Sequence, residues 1–331
     1  MSGLRHRLRT EVLLPITAFA AILVAFLFVP GLTGDEVDSA SFYNALQGFA
    51  PLGLVALALG LTLLAGEFDV SVLGMQALGG VLAVRAGEHH GLLGVLAAVA
   101  GCALLGLGQG LIIARLHVQS LSLTIGTYVA LLGLTNVIAG NDTLSFTNVG
   151  ASVWVDQQVL SWFSPRSLIA IGAFAVVFVV LAATRLGPEI KALGSDRRAA
   201  RVSGVPVQRR LAALFACSGL LAGLAGALLA YSNASASLNP GLEPLILATA
   251  AAVLGGFSLS GGRGTMWGLL LGALAVALLQ GLFAITALPT STTQIVFGGL
   301  LLIVVTVDAP QLRIMLAAFA TRRRTRPERT A

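Results

Sequence analysis

The residues able to do chemistry in this chain are few, and the first two interrupt an apolar stretch: Gly66-Glu67-Phe68-Asp69-Val70-Ser71-Val72. An acid at membrane depth is costly and is kept for a cavity, a partner or a proton path. Three roles fit. Asp69 with Ser71 can sit at a broken helix beside a translocation path, its charge meeting the positive end of the next half-helix. Asp69 can instead only hold that break together, because a capping carboxylate has little left to offer a ligand. Or Glu67 and Asp69 can be the proton sites of a coupled carrier. A second break, Phe257-Ser258-Leu259-Ser260-Gly261-Gly262-Arg263-Gly264, lies in the other half of the chain. It lacks the Lys-Ser/Thr ending of a nucleotide cradle. Arg263 there either pairs with a carboxylate or lies at the inner membrane interface, and the charge distribution favours the interface.

Such residues must be positioned by helices in a bilayer. Of the 331 residues 56% are hydrophobic and only 10% charged, with a mean hydropathy of +0.92. A soluble domain carries about a quarter charged residues, so a soluble enzyme is excluded. Ten apolar segments are expected, near 12–30, 43–64, 70–86, 91–114, 120–140, 166–184, 211–231, 244–257, 265–286 and 292–309. At about 20 residues per crossing they take up most of the chain. The 39 glycines suit close helix packing in lipid. The apolar run after Arg5, Arg7 and Arg9 exceeds a signal-peptide core and no A-x-A site follows it, so it is expected to stay as the first span. With the amino terminus inside, 18 of the 20 Lys and Arg fall on the inner side and only Arg85 and Arg166 on the outer. That asymmetry places both termini in the cytoplasm, and the net charge of +6 reads as orientation rather than nucleic-acid binding. The expected fold is an all-α integral membrane protein of about ten transmembrane helices, one domain over 1–331 with a basic cytoplasmic tail at 310–331.

Smaller features follow. Trp154 and Trp162, in the outer loop 141–165, read as interfacial anchors, with a short amphipathic stretch as the alternative. Cys102 and Cys217 read as small buried hydrophobes, with no further ligand at metal spacing, and no metal is expected. His89-His90 reads as solvent-exposed.

The one sizeable inner segment between spans is RLGPEIKALGSDRRAARVSGVPVQRR, residues 185–210. Pro188 suits a first helical position after Gly187. Ser195 or Asp196 can cap a second turn over Arg197 to Val202, which Gly204 closes and Pro206 ends. Ala192, Ala199 and Ala200 with Ile190, Leu193 and Val202 make a knob able to press into a partner. The alternative is an Arg-rich loop that only touches anionic headgroups.

This loop resembles the coupling loop of the inner-membrane permeases of ribose/xylose-type sugar ABC importers, whose pattern is G-x-x-x-x-A-x-G-x-N-x-x-A-A-R-x-S-G-I. Gly187, Ala192, Gly194, Ala199, Ala200, Arg201, Ser203 and Gly204 fit it, while Asp196 replaces Asn and Val205 replaces Ile. Ser218 to Gly226 is similar to that family's next span. Ala250 to Gly268 is similar to A-A-V-V-L-G-G-T-S-L-S-G-G-R-G-S-x-W-G, with Phe257 for Thr. Gly66 to Val72 resembles G-x-x-D-L-S-V-G with Leu73 at the final Gly, and Ser120 to Thr127 resembles S-F-I-x-T-L-G-T. The motifs run in order through residues 45–308.

The resemblance implies a type II ABC importer permease in a bacterial inner membrane, with two related halves, spans 2–5 and 7–10, around a central path. It implies cytosolic ATP-binding subunits that hold ATP and Mg, a binding protein outside, and a second permease copy or paralogue. This chain would bind no cofactor itself. The coupling residues would be Gly187, Ala192, Gly194, Asp196, Ala199, Ala200, Arg201, Ser203 and Gly204. Asp69, Ser71, Thr124, Phe257 and Ser258 would be the translocation-path candidates. The cargo would be a pentose, hexose or related polyol, which needs neutral donors and acceptors. Asn44, Gln47, Gln76, Gln109, Thr124, Tyr128, Asn136 and Gln280 can supply these, or can glue helices at about 0.6 kcal/mol each. A proton-coupled secondary transporter and a branched-chain amino acid permease are the alternatives. No nucleophile elbow, zinc helix or His–carboxylate pair points to an enzyme.

Overall fold

A computed structural model describes residues 13–308; the 310–331 tail and His6 lie outside the described residues. Helix α1 spans Leu14–Thr33, α2 Ser39–Leu64, α3 Val72–Gly87, α4 Gly91–Leu116 and α5 Ser120–Ala139. After a two-residue strand β1 (Leu144–Ser145) and a short α6 (Val149–Val155) comes α7, Pro165–Ala183. The 185–210 loop folds as α8 (Leu186–Ser195) and α9 (Arg197–Val202). Helix α10 spans Val207–Ser232, then β2 (Ser235–Ala236), α11 (Glu243–Leu254), α12 (Met266–Ile285) and α13 (Thr290–Asp308). Among the described residues, seven helices (α1, α2, α4, α5, α7, α10 and α12) are long and apolar enough to cross a membrane. Helices α3 and α11 are shorter, at 16 and 12 residues.

Each of the ten expected segments is a helix, and the ends moved for local reasons. Helix α2 starts four residues early because Asp38 accepts from Ser41 N at 2.8 Å and closes a capping box. Helix α10 starts four residues early because Pro206 precedes its first turn, and Gln208, Arg209 and Arg210 are good helix formers that an apolar scan passes over. Helix α11 stops at Leu254 because Gly255 ends it and Gly256 takes φ +77°, so Phe257 lies in the break rather than in the span.

Helices α2 and α10 form the core. Helix α10 lies against α3 and α4, and α2 against α7, α10 and α12. Contact between α10 and α4 is backbone-close: a Cβ at Gly219 would strike the Cys102 carbonyl and lie 2.9 Å from the Met75 sulfur. Outward faces of α4, α5 and α7 carry Leu92, Leu104, Val137 and Val176, a surface fit for lipid. Far from the 185–210 loop, β1 pairs antiparallel with β2. Residues Val149–Val155 form the short helix of the alternative reading, Trp154 and Trp162 are about half exposed, and Trp162 stacks on Phe42 at 5.3 Å. Cys102 is buried as expected, but Cys217 is exposed, because it lies on the outward face of α10 between buried Phe215 and Ser218.

Candidate functional site

The two interruptions in the helices meet each other, and the 185–210 loop meets both. Ala65 to Ser71 separates α2 from α3, and Gly255 to Thr265 separates α11 from α12. Gly262 N donates to the Leu64 carbonyl at 3.1 Å, which joins the second break to the end of α2. Gly194, in the last turn of α8, lies against that bond: a Cβ there would strike the Leu64 oxygen and stand 2.5 Å from Gly262 N. Gly261, at φ +85°, faces Gly66 so closely that a Cβ would lie 2.8 Å from Gly66 N and 3.2 Å from the Gly194 carbonyl. Three backbones thus converge at glycines, with the Ser195 hydroxyl lying against Gly262. Sequence reasoning found these glycines in three separate motifs and did not bring them together.

Glu67 is 4% exposed and forms an ion pair with Arg197, the first residue of α9. The expected membrane-depth acid is therefore bound to the loop. Burial, and after it the charge of Arg201, pushes the Arg197 guanidinium below its usual value. Glu189 on α8 pairs with Arg210 on α10, so the loop is tied at both ends.

Asp69 is fully buried and saturated with donors. Its Oδ1 accepts from Ser71 N at 3.0 Å, from the Ser71 hydroxyl and from Gln109 Nε2 at 3.4 Å, and Oδ2 accepts from Ser218 Oγ at 2.8 Å. Gln109 Nε2 also donates to Ser71 Oγ at 3.0 Å. Thr124 on α5 accepts from Val70 N at 3.2 Å and donates to the Phe68 carbonyl at 3.3 Å. Asp69, Ser71 and Thr124 thereby fasten the first break to α4, α5 and α10. Gln109 and Ser218 were the missing partners; a polar side chain in an apolar span was the signal for each.

In the second break Ser258 is 4% exposed and Phe257 3%. Arg263 Nη2 donates to Ser258 Oγ at 3.1 Å, so the arginine folds onto its own loop. Gly264, at φ +141°, sits over the Phe257 ring, where a Cβ would lie 2.7 Å away.

The loop itself follows its expected punctuation except at one point. Helix α8 begins at Leu186, so Pro188 is its third residue rather than its first; Thr184 Oγ1 accepts from Leu186 N at 3.2 Å and starts the helix earlier. Proline still fits, because first-turn amides have no helical partner. Asp196, not Ser195, caps α9, accepting from Arg198 N at 2.8 Å and Ala199 N at 3.0 Å. Gly204 follows with φ +85°. Ile190 and Leu193, read from sequence as part of an outward knob, are buried in the chain's own core, as are Gly187 and Ala200. The outward face is Ala192, Asp196, Ala199, Arg201, Val202, Ser203 and Gly204, with Val202 85% exposed.

At the opposite end of the bundle lies a buried ionic cluster that sequence reasoning missed. Arg166, expected at the outer end of the span 166–184, is only 8% exposed; its Nε lies 2.8 Å from Asp156 and donates to Gln47. Ser164 Oγ donates to Gln47 Oε1 at 2.8 Å, and Ser232 Oγ to Asp156 Oδ2 at 2.7 Å. A small cavity beside it is lined by Gln76, Asn233, Ser235 and Ser237, all neutral.

Residues 41–305 match the family described as the branched-chain amino acid transport system / permease component. Similar curated proteins include the L-arabinose ABC transporter permease protein of Azospirillum brasilense, 29% identical over 86% of this chain and 85% of that protein. The fructose import permease protein of Rhizobium meliloti is 28% identical over 93% and 88%. The ribose import permease protein of Escherichia coli K12 is 31% identical over 87% and 91%.

Proposed function

The chain belongs to the permease-component family of the branched-chain amino acid transport system, and from that premise we propose that it is the membrane subunit of an ABC importer that carries a sugar. The observation that carries the cargo class is correspondence along nearly the whole chain with permeases for arabinose, fructose and ribose. It is a multi-pass membrane protein of the bacterial inner membrane. Its charge distribution supports ten crossings with both termini, the 185–210 loop and the 310–331 tail in the cytoplasm. Spans 2–5 and 7–10 form the two related halves.

The outward face of α8–α9 docks the cytosolic ATP-binding subunits, which hold ATP and Mg; this chain binds neither and catalyses no reaction. Ala192, Asp196, Ala199, Arg201, Ser203 and Gly204 make that contact, while Gly187, Gly194 and Ala200 seat the loop on the bundle. A binding protein delivers the sugar from outside, and a second permease, a copy or a paralogue, completes the path. Asp69, Ser71, Thr124, Phe257 and Ser258 stand beside that path and hold its helices in place. Transport then needs two states of the bundle whose ATPase contacts differ, since a partner shifts an equilibrium only by its differential affinity. The acids on which a proton-coupled carrier would depend are committed, Glu67 to Arg197 and Asp69 to four donors, which argues for the ATP-driven reading.

The test is isolation of the chain from its native membrane in mild detergent, beside an Ala199→Glu/Val202→Glu variant. An ATP-binding subunit should accompany the wild type and be lost from the variant. Proteoliposomes holding the wild-type complex should take up labelled ribose, arabinose or fructose only with ATP and the binding protein. Uptake that follows a proton gradient, with no ATPase recovered, refutes the reading.

A further inference from the structure

We propose that the Glu67–Arg197 ion pair is the positioning link through which α8–α9 controls the first helix break, with the glycine junction at Gly66, Gly194, Gly261 and Gly262 carrying the same displacement to the second. The proposal rests on the importer reading above. Three observations support it. Glu67 is nearly fully buried, yet its partner comes from the loop and not from a neighbouring span. Arg197 opens α9 and follows the Asp196 cap, so any tilt of that short helix moves the guanidinium directly. The last turn of α8 touches both breaks mainly through backbone, at Gly194 and at Ser195, whose hydroxyl also lies against Gly262, and backbone contacts cannot yield as a flexible side chain does.

The break so gripped is the one that Asp69 fastens to α4 and α10, two residues from Glu67. A shift of the loop therefore reaches α2, α3, α4 and α10 on one side and α11 and α12 on the other. One rigid loop thus addresses both halves of the chain. Separate linkages for each half are not needed.

The experiment uses the complete complex in proteoliposomes, with Glu67→Gln, Arg197→Gln, the double variant, and Arg197→Lys as the conservative control. Three readouts are taken: ATPase subunits recovered per permease, binding-protein-stimulated ATP hydrolysis, and sugar moved per ATP. Both single variants should keep their ATPase subunits but lose at least about fivefold in stimulation, the lower range of ordinary coupling between sites. Sugar moved per ATP should fall with it. The double variant should be no worse than either single, because both remove one interaction, and Arg197→Lys should recover part of the loss. Normal stimulation in the singles, or losses that add in the double, overturns the proposal while leaving the importer reading intact. A wild-type preparation without any ATPase overturns both.

Discussion

Replacing Asp69 by alanine removes the acceptor that Ser71, Gln109 and Ser218 share, and the structure sets the cost. Four hydrogen bonds end on this carboxylate from the first break, α4 and α10. A buried donor left without a partner costs about 1–3 kcal/mol in a soluble interior. Within membranes polar contacts average about 0.6 kcal/mol, and serine hydroxyls on helices can turn back to a carbonyl one turn earlier. Ser71 N has no such retreat, and the Gln109 amide keeps only its bond to Ser71 Oγ. The expected loss is therefore about 2–4 kcal/mol, weighted toward those two groups. By the usual conversion this lowers the unfolding midpoint by about 5–10 °C. Asp69→Asn keeps an oxygen toward Ser71 and Gln109 and presents an amide to Ser218, whose hydroxyl can rotate to accept. It should stay within about 1 kcal/mol of wild type.

Thermal unfolding of the detergent-solubilised protein reads both variants. Ser218→Ala should cost less in the Asp69→Ala background than alone, because its partner is already gone. Competition among ribose, arabinose and fructose for uptake should keep its wild-type order in Asp69→Asn. A wild-type midpoint for Asp69→Ala, or a reordered sugar preference, would refute the positioning role and put this carboxylate in contact with cargo.

Gly219→Val should destabilise by several kcal/mol, at about the scale of an overpacked core, since its Cβ meets the Cys102 carbonyl. Gly126→Val, with nothing within 4 Å, should leave the midpoint unchanged and serves as its control. Tyr231→Phe keeps the stack on Phe146 at 4.2 Å but loses bonds to the Gly91 and Ala83 carbonyls at 2.7 and 3.2 Å, for a loss of about 1 kcal/mol. Backbone and side-chain bonds from Ser41 hold Asp38 below its ordinary value of 3.8. The cap is thus fully present above that pH and is lost as pH falls through the lowered pKa. Hydrogen exchange at the start of α2 should then quicken on acidification, and Asp38→Ala should exchange fast at every pH.

Apolar length made the long helices legible, because a run of about 20 apolar residues has one stable form in lipid, while α3 and α11, at 16 and 12 residues, were read from shorter apolar runs. Ends were misplaced where polar residues extend a helix, as at Gln208 to Arg210, or where a glycine ends one inside an apolar run, as at Gly255. The loop was legible almost to the residue because Asp196, Gly204 and Pro206 act locally. The direction of its side chains was not: Ile190 and Leu193 turn inward, and nothing in ten residues of sequence says whether an apolar stripe faces a partner or the chain's own core. The burial of Arg166 was not legible for the same reason, since it depends on Asp156 and Gln47 arriving from other elements.

The glycine junction shows the deeper limit. A buried acid announces that it needs a partner, and Glu67 did so, although any of several arginines in the 185–210 loop could have met it. Glycine announces only the absence of a side chain. Gly66, Gly194 and Gly261 are spread over nearly two hundred residues, and each is explained locally by a turn or a helix end. Their common cause is a volume that three backbones occupy together, which exists only after the fold has formed. A Gly194→Ala variant would therefore disturb the break at Gly262 and the end of α2 at once, although neither adjoins it in sequence. If the junction is the shared bearing of both halves, that single methyl should damage coupling more than the same change at Gly204, where a Cβ meets nothing within 4 Å but the φ of +85° already strains any side chain.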